Sequence, residues 1–244
     1  MTNLDAPMQQ AGQRAEGYWL LSRLFLEVPT TTMLAELSRI LADAADDDIS
    51  PELAALRNAI GTALAEPNAA AVAFTRNLTL GDKKAGEPLP FEAHVREGCL
   101  PGESTQQVVA AMREAGYADV APEASSPDHL GAELRFMALL CHREHKAWSE
   151  GDHHDAGKAL RLQQELLMHH LAQWIPEYCR GLGTRTSNDY LRAVAALAAA
   201  SVEEDVTVLD DICRWLAPEG FVPLAADSYC TSDSAKTEAA VRCA

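Results

Sequence analysis

The side chains with obvious metal or acid–base chemistry are histidines and carboxylates. His142 and His145 are spaced i, i+3, which puts them on one face of a helix. His153-His154 stands between Asp152 and Asp155, just past Gly151. If the segments on either side of Gly151 fold back on each other, these residues offer nitrogen and carboxylate oxygen, a donor set that zinc accepts. This supports one reading, a metal-binding helical protein or metal-dependent hydrolase using His142, His145, His153 and His154. The spacing weighs against it. No His-Glu-x-x-His occurs, no Glu-x-x-His pair comes from two different helices, and adjacent histidines point to different sides of a helix. Gly-x-Ser-x-Gly, Walker and Gly-x-Gly-x-x-Gly patterns are missing too. The preferred expectation is therefore a protein that is not an enzyme, with no metal and no cofactor.

A second cluster is local: Ser126-Pro127-Asp128-His129-Leu130-Gly131-Ala132-Glu133-Leu134-Arg135-Phe136. Ser126 reads as an N-cap, Pro127 as a first helical residue, and Asp128 as a negative charge on the positive end of the helix dipole. Leu130, Leu134 and Phe136 read as core. His129 is left over, because a first turn disfavours positive charge. A histidine there should be neutral and free to hydrogen bond.

The elements that must position these residues are helices. Apolar positions recur at three and four residues wherever a period is visible, and alternating strand patterns are missing. The first helix spans about 11–26, with Tyr18, Leu21 and Phe25 on its stripe, and Pro29 ends it. Met33, Leu34, Leu37 and Leu41 mark a second helix. Ser50-Pro51 starts a third, and Pro67-Asn68 a fourth with Val72, Phe74 and Leu78. Residues 79–103 read as the longest irregular stretch. Ser104 caps the next helix and Gly116 closes it. The segment from Ser126 runs to Gly151 and is expected to be buried on most sides. Further helices follow to Trp174, with Pro176 interrupting, then from a Ser187 cap, and along Val202, Val206, Leu209, Cys213 and Leu216. The expectation is an all-α bundle of about ten helices. An N-terminal helical group (1–120) and a C-terminal one (127–217) flank a linker at 121–126, and a loosely ordered tail covers 218–244.

The chain has 244 residues and a net charge of −16, with a pI near 4.8. Such a surface repels nucleic acid and anionic lipid and favours basic partners. No apolar run reaches the ~18–20 residues a membrane helix needs, so no stable membrane insertion is expected. The polar start, Met1 to Gln13, carries no secretory h-region. The six cysteines form no Cys-x-x-Cys and read as reduced thiols, which predicts a cytoplasmic protein.

The 126–137 cluster resembles the signature of the TorD/DmsD/NarJ family of chaperones for molybdenum-cofactor oxidoreductases, approximately Glu-Pro-Asp-His, an aliphatic residue, two variable positions, then Glu. Ser126 stands where the family has the first Glu. Tyr18-Trp19-Leu20-Leu21-Ser22-Arg23-Leu24-Phe25 is similar to the family's first helix, and Leu171 to Tyr178, with Trp174 and Pro176, to a later stretch. Phe74-Thr75-Arg76 and Pro90-Phe91-Glu92 stand where the family carries Tyr-Thr-Arg and Pro-Tyr-Glu. The resemblance implies a cytoplasmic chaperone that binds the twin-arginine signal peptide of an oxidoreductase precursor and assists its cofactor loading and assembly before export. The resemblance places Pro127, Asp128, His129, Glu133, Phe91 and Glu92 at the peptide site, with Tyr18 and Phe25 nearby. Separately, the linker permits exchange of helical groups between subunits, so a monomer or domain-swapped dimer is expected.

Overall fold

A computed structural model describes residues 5–42, 49–80 and 88–216. The tail expected at 218–244 lies outside these residues. Among them the chain is all-α, with ten helices and two π-helical turns. The helices are α1 (Asp5–Leu26), α2 (Thr31–Ala42), α3 (Pro51–Ala65), α4 (Pro67–Phe74), α5 (Glu92–Glu97), α6 (Glu103–Glu114), α7 (Leu130–Glu150), α8 (His153–Leu166), α9 (Ala172–Arg185) and α10 (Asp189–Leu216). The π-helical turns are Thr75–Leu80 and Leu167–Leu171. The one β feature among the described residues is an isolated antiparallel bridge, Phe91 with His129.

The chain divides into two compact units. The first contains 5–26, 91–174 and 202–216, and the second 27–90 and 175–201. The segment at 121–126 lies inside the first unit, where it joins α6 to α7.

In the first unit α7 is the central element. Leu130, Leu134, Phe136, Met137, Leu140 and Cys141 are all buried along it, so it is enclosed on most sides as its sequence predicts. Helix α1 packs along its length. Gly12 of α1 lies against His145 near the C-terminal end of α7, and Leu26 at the end of α1 lies against Gly131 at its start. The pair is therefore antiparallel. Gly151, in the left-handed region at φ 75°, ends α7 and turns the chain into α8. In the second unit, Met33, Leu34, Leu37 and Leu41 of α2 and Leu56 and Ile60 of α3 are buried as their spacing predicts.

Several local expectations are corrected. Val72, read as part of an apolar stripe, is 66% exposed. Asn188 rather than Ser187 caps α10, its Oδ1 accepting the Leu191 N–H at 3.0 Å. From there α10 runs through to Leu216 as one helix. Pro176 sits inside α9, a position that costs one main-chain hydrogen bond. Helix α5 forms within the stretch read as irregular, and Gly102 rather than Ser104 is the N-cap of α6. Part of that stretch, 81–87, lies outside the described residues. Cys141, Cys179 and Cys213 are buried free thiols, whereas Cys99 is disulfide-bonded, a departure from reduced thiols throughout.

The α1–α7 approach gives opposite expectations for two glycines. A Cβ on Gly131 would lie 2.5 Å from the branch carbon of Leu26, while one on Gly61 of α3 would meet nothing within 4 Å. Helix propensity alone favours alanine by up to about 1 kcal/mol, but overpacking costs about 1–3 kcal/mol. Denaturant unfolding should show Gly131→Ala destabilised by about 1 kcal/mol or more and Gly61→Ala stabilised by up to about 1 kcal/mol. Equal shifts for both would contradict the close approach.

Candidate functional site

The connection from α6 to α7 ends in the Asp128-His129 pair, and the two residues do different work. Asp128 is fully buried. Its Oδ2 accepts the backbone N–H of Ala93 at 3.2 Å and the hydroxyl of Thr105 at 2.9 Å. Its Oδ1 accepts the Ser126 hydroxyl. Its backbone carbonyl accepts the Glu92 N–H at 2.9 Å. The first turn of α5 is thus capped by a carboxylate from a residue 35 positions away. The expected order, Ser126 as the cap of α7 and Asp128 on its dipole, does not hold. Ser126 instead supports Asp128, and Asp128 serves α5 and α6.

His129 is the N-cap of α7. Its Nδ1 accepts the Gly131 N–H at 3.1 Å, so the ring is neutral with its proton on Nε2. Its ring meets Phe91 edge to face, centroids 5.2 Å apart. Burial lowers its pKa to about 4, outweighing the opposing pull of Asp128. The expectation of a neutral, hydrogen-bonding histidine is met, and the reason is that the imidazole replaces a serine as the cap.

Glu92 and Glu133 complete the cluster. Both are fully buried. Glu92 accepts from Arg96 at Oε1, and its Oε2 is hydrogen-bonded to His170 Nδ1 at 2.7 Å. Glu133 Oε2 accepts the indole N–H of Trp174 at 3.0 Å. Burial first, and the neighbouring Glu92 carboxyl second, push the Glu133 carboxyl well above the ordinary glutamate range.

Phe91, Glu92, Asp128, His129 and Glu133 therefore come together, while Pro127 lies exposed beside them. Tyr18 belongs to a different network. Its hydroxyl donates to Asp205 Oδ2 at 2.7 Å, and Arg14 holds the same carboxylate through Nε at 2.6 Å and Nη2 at 2.9 Å. Arg14 also donates to Gln163 at 2.7 Å, and Gln163 donates to Glu144 at 3.0 Å. Asp205 is only 5% exposed, although its acidic run in sequence, Glu203-Glu204-Asp205, has the composition of a solvated helix surface. Phe25 is buried on the stripe of α1.

Sequence reasoning passed over Thr105, Arg96, His170 and Trp174 as members of the cluster. Of these, only Trp174 carried a signal, as part of the stretch from Leu171 to Tyr178 that is similar to the family's. The metal reading finds no support: no group of three His, Cys, Asp or Glu suited to a metal occurs among the described residues. His145 contacts the Met8 carbonyl, the His153 ring packs against Trp148, and Asp155 is engaged by Arg143. A cavity of about 540 Å³ lies in the second unit, bordered by residues such as Ala63, Arg76 and Tyr190, and none of the expected site residues borders it.

Three similarities bear on this site. The family model described as nitrate reductase delta subunit matches residues 42–180, a span that contains every residue of the Asp128 cluster. A 56-residue stretch is 46% identical to the selenate reductase assembly chaperone protein of Thauera selenatis, covering 23% of this chain and 28% of that one. The chlorate reductase assembly chaperone protein of Ideonella dechloratans is 41% identical over 56 residues, with the same coverage. The chain thus spans little more than a quarter of these two relatives' length. Chaperone protein TorD of Vibrio cholerae serotype O1 (strain M66-2) is 26% identical over 217 residues, 83% of this chain and 94% of that one.

The His129 cap makes stability depend on acid. Its pKa is depressed from 6.5 to about 4, so its contribution is complete above pH 6.5 and is lost as pH falls through about 4. The whole effect is of order 3 kcal/mol. His129→Asn keeps a capping side chain but cannot titrate. Urea unfolding at a series of pH values should show the acid-side loss shrinking by that order in the variant. An unchanged profile would show that His129 is not the group responsible.

Proposed function

The chain belongs to the nitrate reductase delta subunit family, and on that premise we propose that it is an assembly chaperone for a molybdenum-cofactor oxidoreductase. It binds the twin-arginine signal peptide of the precursor in the cytoplasm and holds it until the cofactor is loaded. The observation that carries the reading is the convergence at the Phe91–His129 bridge. Residues far apart in sequence are locked there by buried hydrogen bonds, and nothing in that arrangement suggests a reacting group. Among the described residues no group of three His, Cys, Asp or Glu is suited to a metal, and burial pushes the Cys141, Cys179 and Cys213 thiols up, away from the reactive thiolate. The arrangement suits a preformed recognition surface, since rigid backbone lowers the ordering cost of binding.

Burial assigns different roles within the site. Asp128, Glu92 and Glu133 have no exposed surface and act as positioning residues. Contact with a peptide falls to the exposed Pro127 and to the edges of Phe91 and His129, each 8% exposed. The net charge of −16 draws in the basic start of a twin-arginine signal, and its apolar segment packs on the Phe91 and Pro127 edges. The relatives named for selenate and chlorate reductase assembly support an oxidoreductase client.

The test is calorimetric titration of the full chain with a synthetic peptide carrying a basic twin-arginine start and an apolar segment, taken from an oxidoreductase precursor. Binding should weaken as salt is raised, since part of the attraction is between exposed charges. Phe91→Leu, which keeps an apolar side chain, should weaken binding about fivefold, the equivalent of ~1 kcal/mol at a modest contact. Binding that ignores both salt and Phe91→Leu would sink the site assignment. No binding to any such peptide would sink the signal-peptide reading.

A further inference from the structure

We infer that Glu133 carries a proton at neutral pH and donates it to Glu92, so that Trp174, Glu133, Glu92 and His170 form one continuous hydrogen-bond chain through the interior of the first unit. Both carboxyl groups are fully buried and meet the same stretch of chain, Glu92 at His170 and Glu133 at Trp174, four residues further on. Two ionised carboxylates cannot share such a site without a cation between them.

The geometry also says which of the two holds the proton. Oε1 of Glu92 accepts from the Arg96 guanidinium, and Oε2 is paired with His170 Nδ1 at 2.7 Å. A proton on Oε1 would face a guanidinium that can only donate. Glu133 is different. Its Oε2 accepts from Trp174 at 3.0 Å, but its buried Oε1 meets no donor. A buried carboxylate oxygen left without a donor is costly, whereas a buried hydroxyl beside an ionised acceptor is satisfied. Protonation of Glu133 at Oε1 resolves both problems at once.

The surrounding charges agree. Arg96 of α5 is the cation of the site, and it is engaged by Glu92. Asp128, before α7, adds a further negative charge towards Glu133, and its own oxygens are occupied by Thr105, Ala93 and Ser126. His129 is neutral as a cap, and His170 points its Nδ1 at Glu92 rather than at Glu133. The Glu92 and Asp128 carboxylates both disfavour an ionised Glu133, and against them the indole of Trp174 supplies one hydrogen bond.

The chain of hydrogen bonds holds α5 and α7 to the π-helical turn at Leu167–Leu171 and to the start of α9. Glu92 is the residue after Phe91, so the shared proton is a positioning element for the peptide contact. That consequence rests on the functional reading above, but the proton does not.

The decisive measurement is infrared spectroscopy of the full chain at pH 7. A protonated-carboxyl C=O stretch should be present in the parent and missing in Glu133→Gln, which keeps an acceptor for Trp174 and a donor for Glu92. Its absence from the parent, or its persistence in Glu133→Gln, overturns the proposal. Stability gives an independent readout. A glutamate with a raised folded pKa contributes stability that is complete below its ordinary value of 4.5 and is lost as pH rises through the folded value. Above pH 6.5, where the His129 contribution no longer changes, the parent's folding constant should begin to fall with pH, by up to about tenfold per unit. Glu133→Gln should remove that fall, and a variant that retains it counts against the assignment. If the parent binds no peptide, the functional reading fails while the infrared result still decides this one.

Discussion

Much of the first unit depends on one buried carboxylate. Asp128 gathers an amide from α5, a hydroxyl from α6 and a hydroxyl from its own connection, and its carbonyl closes the bridge to Glu92. A buried charge is costly alone and favourable only when its oxygens are filled by well-placed donors. The donors here come from three separate stretches of chain, so those stretches must be in place together. Thr105 extends the network, since its hydroxyl oxygen also accepts the Gly102 N–H at 3.1 Å and so closes the start of α6. Glu97 adds to that closure by accepting the N–H groups of Glu103 at 2.7 Å and Ser104 at 2.8 Å. A helix of six residues is too short to be stable by propensity. Helix α5 exists because Asp128 caps it.

The Arg14 network solves a related problem elsewhere in the same unit. One guanidinium satisfies Asp205 through two nitrogens and reaches Gln163 with a third. Gln163 passes the connection to Glu144, whose other oxygen accepts the Trp148 indole at 3.0 Å. Helices α1, α7, α8 and α10 are thereby joined through polar atoms that are nearly all paired. Pairings of this kind add little net energy over a well-packed apolar core, but breaking one partner is expensive. Their effect is to fix which helix faces which.

The contrast between the two networks explains what the sequence could disclose. Apolar spacing revealed nearly every helix, because one buried face imposes a period on its own segment. The Asp128-His129 pair stood out because a histidine in a first turn contradicts dipole logic. Its real role was hidden, since the amide that Asp128 caps lies in a segment with no helical signature. Asp205 was lost for the same reason. Within its run of Glu203, Glu204 and Asp205 nothing marks it as the residue that meets Arg14, 191 positions away. Glu92 and Glu133 were singled out only through family resemblance, because a carboxylate in sequence carries no mark of being enclosed.

The π-helical turn at Leu167–Leu171 sets the angular phase of the first turn of α9. A π-turn is an α-helix carrying one surplus residue, and each residue of an α-helix advances the side chains by about 100°. His170 stands within the turn and Trp174 just beyond it, and both point inward, to Glu92 and Glu133. Loss of any single residue between 167 and 171 would restore a regular spiral without shortening the helix by more than ~1.5 Å. It would also swing the Trp174 indole about 100° away from the carboxyl it serves. The length of this segment is therefore constrained to the single residue, a constraint that acts on chain count and leaves side-chain identity free.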